Sequence, residues 1–430
     1  MSATRPITSP QAWMPALDGL PAFDAAAHRR VVVVAAHPDD ETLGAAGVLR
    51  ALHRAGAQLA LVVATDGEAA YPGLDAPARR ELATVRRAEL AAAMRAQGLD
   101  GVPVTWLGLP DSGLADRADA LCTALAPLLA GADAVLAPWP GDPHPDHRAA
   151  GLAAIAAAPV TAHAWSYPIW MWAWTEPGDT GIPWDRARAV PLDTAARRAR
   201  RAAVDCYVSQ VGPGPDGSPA VLAAGLLDHV DRAADVVFRE PRTASAPVDR
   251  FADLYAGGRD PWAADSWYER RKRAVVVASL PRERYASAFE PGCGAGELTV
   301  ELAGRCDRLL ASDPVDAVVE RARTATAGRP GVVVQRAALP DGVPLGPLDL
   351  AVFSEVLYYL DDDTVAAVLD RTLAALEPGG DVVAVHWRGW PPEAPRDAAA
   401  THRMLAERRE LEPVMAHVDE EFLLQVLRRR

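Results

Sequence analysis

The sequence predicts two α/β domains in series, and three observations carry that expectation. Two strand-loop-helix openings stand far apart, one at residues 31–55 and one near 286–305, each followed by alternating strand and helix patterns. The 430 residues suffice for two or three domains, and an apolar content of 50% is ample for separate cores. No internal repeat or low-complexity tract interrupts the pattern.

In the first domain, Val31 to Ala36 is a continuous apolar run of strand length, and Thr42 to Ala55 has the spacing of an amphipathic helix. Leu59 to Ala64 reads as the next strand, ending in Thr65-Asp66-Gly67-Glu68, and Glu81 to Gln97 as a long alanine-rich helix. Val104 to Leu107 and Ala134 to Ala137 supply short strands. They run into loops rich in Gly, Pro and Asp, Gly108 to Gly113 and Pro138 to His147, a composition from which sites at strand ends are built. Trp165 to Trp184 concentrates Trp and Pro and reads as a structural flap, with a substrate wall as the sharper alternative. After the loop Pro213 to Pro219, an apolar helix pattern runs on through Val237. The domain boundary is placed near Pro241 to Pro247, giving domains 1–245 and 246–430.

Charge and cysteine usage exclude several classes of function. A net charge of −13 and a pI near 5.3 argue against nucleic acid, whose binding draws on clustered Lys and Arg. The four cysteines, Cys122, Cys206, Cys293 and Cys306, form no CxxC pair, so neither a disulfide framework nor a thiolate zinc cluster is expected. A start lacking a signal-peptide core and the lack of any bilayer-length apolar run predict a cytoplasmic protein with no membrane partner.

His37-Pro38-Asp39-Asp40-Glu41 sets an imidazole and two adjacent carboxylates at the end of the first strand, where α/β sheets hold their ligands. Adjacent carboxylates in a turn stiffened by Pro38 point apart, so one can bind a metal while the other takes a proton from water. Pro143-His144-Pro145-Asp146-His147 offers two more histidines three positions apart with a carboxylate between them. One can ligate while the other faces substrate. Either cluster alone reads as a capped turn; together, each following a strand, they predict a metal site. Hydrolysis of an amide suits such a site, because a bound metal lowers the pKa of water to about 7. Two histidines and one carboxylate also suit Fe(II), but a second carboxylate beside the metal favours water activation.

These motifs resemble the PIG-L/LmbE-like N-deacetylases, zinc enzymes that remove acyl groups from amino sugars and related amines, over about the first 240 residues. The resemblance implies Zn2+ held by His37, Asp40 and His147, with Asp39 as general base. It implies His144 as acid or oxyanion stabiliser and Asp146 as the group that orients a histidine. It also implies substrate contacts from Arg86, in Arg86-Arg87-Ala88-Glu89-Leu90, and from Asp111, in Pro110-Asp111-Ser112-Gly113. Cys206-Tyr207-Val208-Ser209-Gln210 is similar to the family's Ser-Gln stretch but lacks the histidine that commonly precedes it.

In the second domain, Asp260-Pro261-Trp262 precedes a charged helix, Ser266 to Val277, and a strand, Ala286 to Glu290. Glu290-Pro291-Gly292-Cys293-Gly294-Ala295-Gly296 then opens a helix near Glu297, with glycines that let a ligand reach the backbone. The dinucleotide fingerprint requires Gly or Ala at position 297, which is Glu297. A carboxylate ahead of the first glycine repels pyrophosphate and attracts the cationic amino-acid end of S-adenosylmethionine. Asp313 follows the strand Leu309 to Ser312 at the distance of a ribose-binding acid, and Leu348 to Phe353 leads into Ser354-Glu355. Leu376-Glu377-Pro378-Gly379-Gly380 stands ahead of the strand Asp381 to His386.

That order resembles the class I methyltransferases, and specifically the nodulation-type N-methyltransferases, from about Phe251 onward. The resemblance implies that Glu290, Gly292, Gly294, Gly296, Asp313 and Ser354 bind S-adenosyl-L-methionine. It implies a lid over the cofactor, with Trp262, Tyr268 and Lys272 touching its methionine end; helix packing is the alternative reading of Trp262 and Tyr268. Glu355, Tyr358 and His386 stand near strand ends where a substrate is oriented, and His402 belongs to a helix that can cover the pocket. The expected architecture is thus two Rossmann-like α/β domains, a PIG-L/LmbE-like deacetylase fold and a class I methyltransferase fold. The expected activity is hydrolysis of an N-acyl group from a small amino sugar or amine, then N-methylation of the exposed nitrogen. The alternative is an amidase acting on a sugar or thiol conjugate beside an independent N- or O-methyltransferase.

Overall fold

The computed structural model of the protein describes residues 7–222 and 224–430. Two compact units divide the chain, Met1–Glu240 and Pro241–Arg430, each built on one seven-stranded sheet. Among the described residues no helix is long and apolar enough to cross a membrane.

The first sheet contains β1 (Arg30–Ala35), β2 (Gln58–Thr65), β3 (Val104–Leu109), β4 (Ala134–Pro138), β5 (His163–Tyr167), β6 (Ala187–Pro191) and β7 (Ala234–Arg239). Their spatial order is β3-β2-β1-β4-β5-β7-β6. The first five are parallel; β7 runs antiparallel to both β5 and β6. Val31 to Val34 are buried on both faces of the sheet, which is why β1 reads as an unbroken apolar run. One face packs Leu49, Leu52 and Leu90 against β1 and β2; the other packs Leu121, Leu125 and Ala150. Because the order reverses between β1 and β4, the loops after these two strands open at the topological switch point. Those loops, and the first turns of the helices Asp40–Arg54 and Pro145–Ala157 that they open, carry His37 to Glu41 and Asp142 to His147.

The second sheet contains β8 (Ala288–Pro291), β9 (Leu309–Asp313), β10 (Val332–Arg336), β11 (Leu348–Ser354), β12 (Leu376–Trp387), β13 (Leu411–Val418) and β14 (Phe422–Arg429). Their order is β10-β9-β8-β11-β12-β14-β13, so each unit arranges its seven strands in the same sequence, with the last two antiparallel. The recurrence is one of topology, which side-chain patterns do not reveal. The helix Trp267–Ala278 is capped by Ser266, whose hydroxyl accepts the Glu269 N–H.

The expected α/β class stands in both units. The apolar pattern expected to run as helix through Val237 instead ends in β7, where Val236 to Phe238 are wholly buried between β5 and β6. A short apolar run carries no period that separates strand from helix. Within the Trp-rich segment, Trp172 and Trp184 pack with Trp13, Trp139 and Phe238, so this part is core. Trp170 and Trp174 are half-buried and stack face to face, 4.4 Å between ring centroids.

Candidate active sites

At the end of β1, the Asp40 carboxylate folds back on its own turn. Its Oδ2 accepts the backbone N–H groups of Ala36 and His37 at 2.8 Å each. Its other oxygen, Oδ1, is left facing His147 Nε2 at 3.0 Å. Burial alone would raise the Asp40 pKa, but the His147 and His37 rings hold it well below the usual carboxylate range. On the far side of His147, Nδ1 meets Asp142 Oδ1 at 2.8 Å. Asp142 is itself fixed by the N–H groups of Ile169 and Met171. Burial disfavours the His147 imidazolium, yet the two carboxylates push its pKa up to about 9.

His37 is held the same way: its Nε2 lies 3.3 Å from Asp111 Oδ1 and 3.5 Å from Asp146 Oδ2. Asp146 accepts the Ser112 and Leu114 N–H groups, and Asp111 accepts that of Ala69. Asp146 therefore sits where it orients His37. Asp111, expected at substrate hydroxyls, is nearly buried against the same ring, a histidine partner instead.

The ligating nitrogens of His37, His144 and His147 lie within 4.8 Å of one another. These residues fit a metal ion. His147 Nε2 is buried without a hydrogen-bond partner, and its 3.0 Å separation from Asp40 Oδ1 is one that two ligands of one zinc ion adopt. His37, Asp40 and His147 give two imidazoles and one carboxylate, a catalytic zinc donor set that leaves a position open. The carboxylate behind each imidazole is the outer shell such sites use.

Asp39 points elsewhere, as adjacency with Asp40 requires. Its Oδ2 accepts from Arg86 Nη2 at 2.9 Å, and burial raises its pKa against the pull of that guanidinium. Arg86 also donates to the carbonyls of Gly67 and Pro38. At 3% exposure it holds Asp39 in place. Gly67, at φ +65°, is required here, since a Cβ would run into the Arg86 guanidinium. His144 caps the helix Pro145–Ala157, its Nδ1 accepting the Asp146 N–H, so the neutral ring carries its proton on Nε2. Burial and His147 bring its pKa down to about 4.

Three residues escape a reading of the motifs. Asp142, five positions before His147, looks like an ordinary loop acid. Glu41 is wholly buried and accepts the hydroxyls of Thr42 and Tyr207 behind the site, and burial raises its pKa to about 7. Glu89 accepts both the N–H and the hydroxyl of Ser209, tying the Ser-Gln stretch to the Arg86 helix.

In the second unit, a cavity of about 820 Å3 opens at the ends of β8, β9 and β11. Trp262, Tyr268, Glu290, Asp313 and Ser354 line it, with Gly292 and Gly294. One oxygen of Glu290 is buried without a partner, and burial pushes its pKa up to about 8. Such a carboxylate fits a cationic group, as S-adenosylmethionine carries. Asp313 is buried and accepts the N–H groups of Gly294 and Val315. Gly296 departs from expectation: it does not line the cavity but opens the helix Glu297–Leu302 at φ +92°, where a Cβ would lie 3.0 Å from Ala322 Cα. Its role is close packing of helix on helix.

Of the expected lid residues, Trp262 donates from Nε1 to Tyr255 Oη at 2.7 Å, while the Tyr268 hydroxyl is buried and unpartnered. Lys272 bridges Glu269 and Glu355 at 2.7 Å each. His386 is buried off the cavity and pairs with His402, Nδ1 to Nε2 3.1 Å.

Residues 32–158 match the protein family described as GlcNAc-PI de-N-acetylase (PIG-L), and residues 289–382 match one described as a methyltransferase domain. Nodulation protein S of Rhizobium tropici is 34% identical over 133 residues, 29% of this chain and 53% of that protein. The 1D-myo-inositol 2-acetamido-2-deoxy-alpha-D-glucopyranoside deacetylase of Mycobacterium sp. (strain JLS) is 28% identical over 287 residues, 53% of this chain and 89% of that protein. The crystal structure of N-methyltransferase NodS from Bradyrhizobium japonicum WM9 with S-adenosyl-L-homocysteine is 25% identical, covering 42% of this chain and 98% of that one, with a TM-score of 0.39. The chain spans about half the length of the curated relatives it matches first. It joins an N-terminal PIG-L deacetylase domain to a C-terminal methyltransferase domain.

Proposed function

We propose that the chain is a bifunctional enzyme that removes the N-acetyl group of an amino sugar and then methylates the nitrogen so exposed. The observation that carries this reading is that buried Asp40 lies 3.7 Å from His37 Nδ1 and 3.0 Å from His147 Nε2 beside an Arg86-held Asp39, in a chain whose other unit sets a Glu290 with one unpartnered oxygen at a glycine turn.

Zinc held by His37, Asp40 and His147 would supply a Lewis acid and lower the pKa of water to about 7. Asp39 takes a proton from the attacking water, its orientation fixed by Arg86. The His144 Nε2–H donates to the oxygen on which negative charge develops, as a neutral imidazole can. The proton on Asp39 then passes to the departing nitrogen, so acetate and free amine leave and Asp39 is ionised again. Asp142 and Asp146 keep the His147 and His37 rings in place throughout.

S-adenosylmethionine supplies an activated methyl group. In the second unit Glu290 and Asp313, which line the cavity, would hold its cationic amino-acid end and its ribose hydroxyls. An amine with pKa on the order of 8 is partly neutral at pH 7 and attacks without a strong base. The small amine released by the first site is what the second consumes.

N-acetylglucosamine incubated with the protein, zinc and S-adenosylmethionine tests the reading by product mass. Loss of acetyl followed by gain of one methyl on the same nitrogen is expected. Methylation of the intact acetylated sugar would overturn the coupling and favour two independent activities.

A further inference from the structure

The methyltransferase cavity has three sides set by strand order, and on one of them the residues beyond Ser354 have been given no more than a general place beside a substrate. β8 with Glu290 and the glycine turn lies between β9, ending in Asp313, and β11, ending in Ser354. A cofactor with its ribose at Asp313 and its amino-acid end over the glycine turn leaves the β11 side for the group that receives the methyl.

On that side Glu355 follows β11 with φ +55°, a left-handed conformation that a glutamate adopts only when its surroundings impose it. The imposing contacts are visible. Its carboxylate accepts from Lys272 Nζ at 2.7 Å, from Tyr358 Oη at 2.5 Å and from the Trp387 N–H at 3.0 Å. Both Glu355 and Tyr358 line the cavity, Tyr358 with only 2% of its surface exposed. With its proton committed to Glu355, the Tyr358 hydroxyl has acceptor capacity left, shared with the neighbouring Tyr359. Its ring is fixed by His386, 5.0 Å away between centroids.

Resting on the amine-methylating function proposed above, we infer that Tyr358 is the catalytic residue that aligns the acceptor amine, accepting one of its N–H groups, and that Glu355 is the positioning residue that fixes the Tyr358 hydroxyl. As the nitrogen lone pair forms the N–C bond, the C–S pair stays on sulfur and the positive charge passes to nitrogen. That charge then faces the Tyr358 oxygen and the carboxylate behind it, and the surplus proton leaves the ammonium product to water. A neutral primary amine satisfies this geometry, whereas an acylated nitrogen, with its lone pair delocalised, does not attack.

Glucosamine serves as the probe, with binding read by calorimetry on the S-adenosylhomocysteine-loaded full chain and turnover by methyl incorporation. Tyr358→Phe is expected to weaken glucosamine binding and lower kcat about tenfold to a hundredfold, with S-adenosylhomocysteine affinity within about twofold of wild type. Glu355→Gln is expected to lower kcat as well, and the double variant to be no worse than Tyr358→Phe, because the two act as one unit. Unchanged glucosamine binding and kcat in Tyr358→Phe, additive losses in the double variant, or parallel loss of S-adenosylhomocysteine binding would each overturn the assignment. A wild-type chain that binds S-adenosylhomocysteine but neither binds nor methylates glucosamine would instead overturn the parent reading, and this inference with it.

Discussion

The end of β1 and the end of β8 occupy the same place in two sheets of identical strand order, yet they are built on opposite principles. After β1, the candidate ligands are held from behind by the protein: Asp40 by two backbone N–H groups, His147 by Asp142, His37 by Asp111 and Asp146, Asp39 by Arg86, with His147 Nε2 left unpartnered where an ion would sit. After β8, a glycine turn borders an open cavity, and Glu290 and Tyr268 keep buried polar atoms with no partner. A site for an ion is closed, its donors held in place by their own neighbours. A site for a ligand the size of a nucleoside leaves space and unmatched groups that the ligand completes.

The contrast is tested most severely at Asp39. Replacing it with Asn should leave bound zinc, measured by elemental analysis, at wild-type stoichiometry while hydrolysis falls by roughly 10^2–10^4, the range for loss of a general base. Asp142→Ala probes the held character of the first site. With its imidazole no longer oriented, metal affinity measured by chelator competition should fall about 10- to 100-fold, and S-adenosylhomocysteine binding should not move.

The unmatched character of the second site predicts a pH effect. Folding pushes the Glu290 pKa to about 8 from an ordinary 4.5, so between those values the folded state keeps a proton that the unfolded state releases. Stability of the ligand-free second unit should therefore fall as pH rises from about 4.5 to about 8, by several degrees in Tm. Glu290→Gln should flatten that slope and weaken S-adenosylhomocysteine. The relevant transition is identified as the one that S-adenosylhomocysteine shifts; an equal slope in the variant would remove Glu290 as its cause.

Much of this arrangement is legible in the chain, for physical reasons that also mark its limits. Val31 to Ala36 is apolar because β1 is buried on both faces, and the abrupt change to His-Pro-Asp-Asp marks the strand end where ligands bind. The glycines of residues 292–296 mark the second turn, although only two of the three face the cavity. Asp142 is illegible because an Asp in a Gly-Pro loop has the composition of a turn, and only folding shows that it accepts from His147 and two remote N–H groups. Arg86 and Asp111 stand out in their motifs, but what they touch does not. Sequence does not say where a side chain ends, and these end on Asp39 and His37 rather than in the open site. The antiparallel strands β6, β7, β13 and β14 lack a period or turn that distinguishes them beforehand.

The central claim is that the amine uncovered by the first unit is the substrate of the second. The most direct measurement compares methyl transfer by the Asp39→Asn protein to glucosamine and to N-acetylglucosamine, with zinc and S-adenosylmethionine present in both. Methylation of glucosamine at the wild-type rate and none of N-acetylglucosamine is the expected result; methylation of N-acetylglucosamine by this variant at the wild-type rate would contradict the claim.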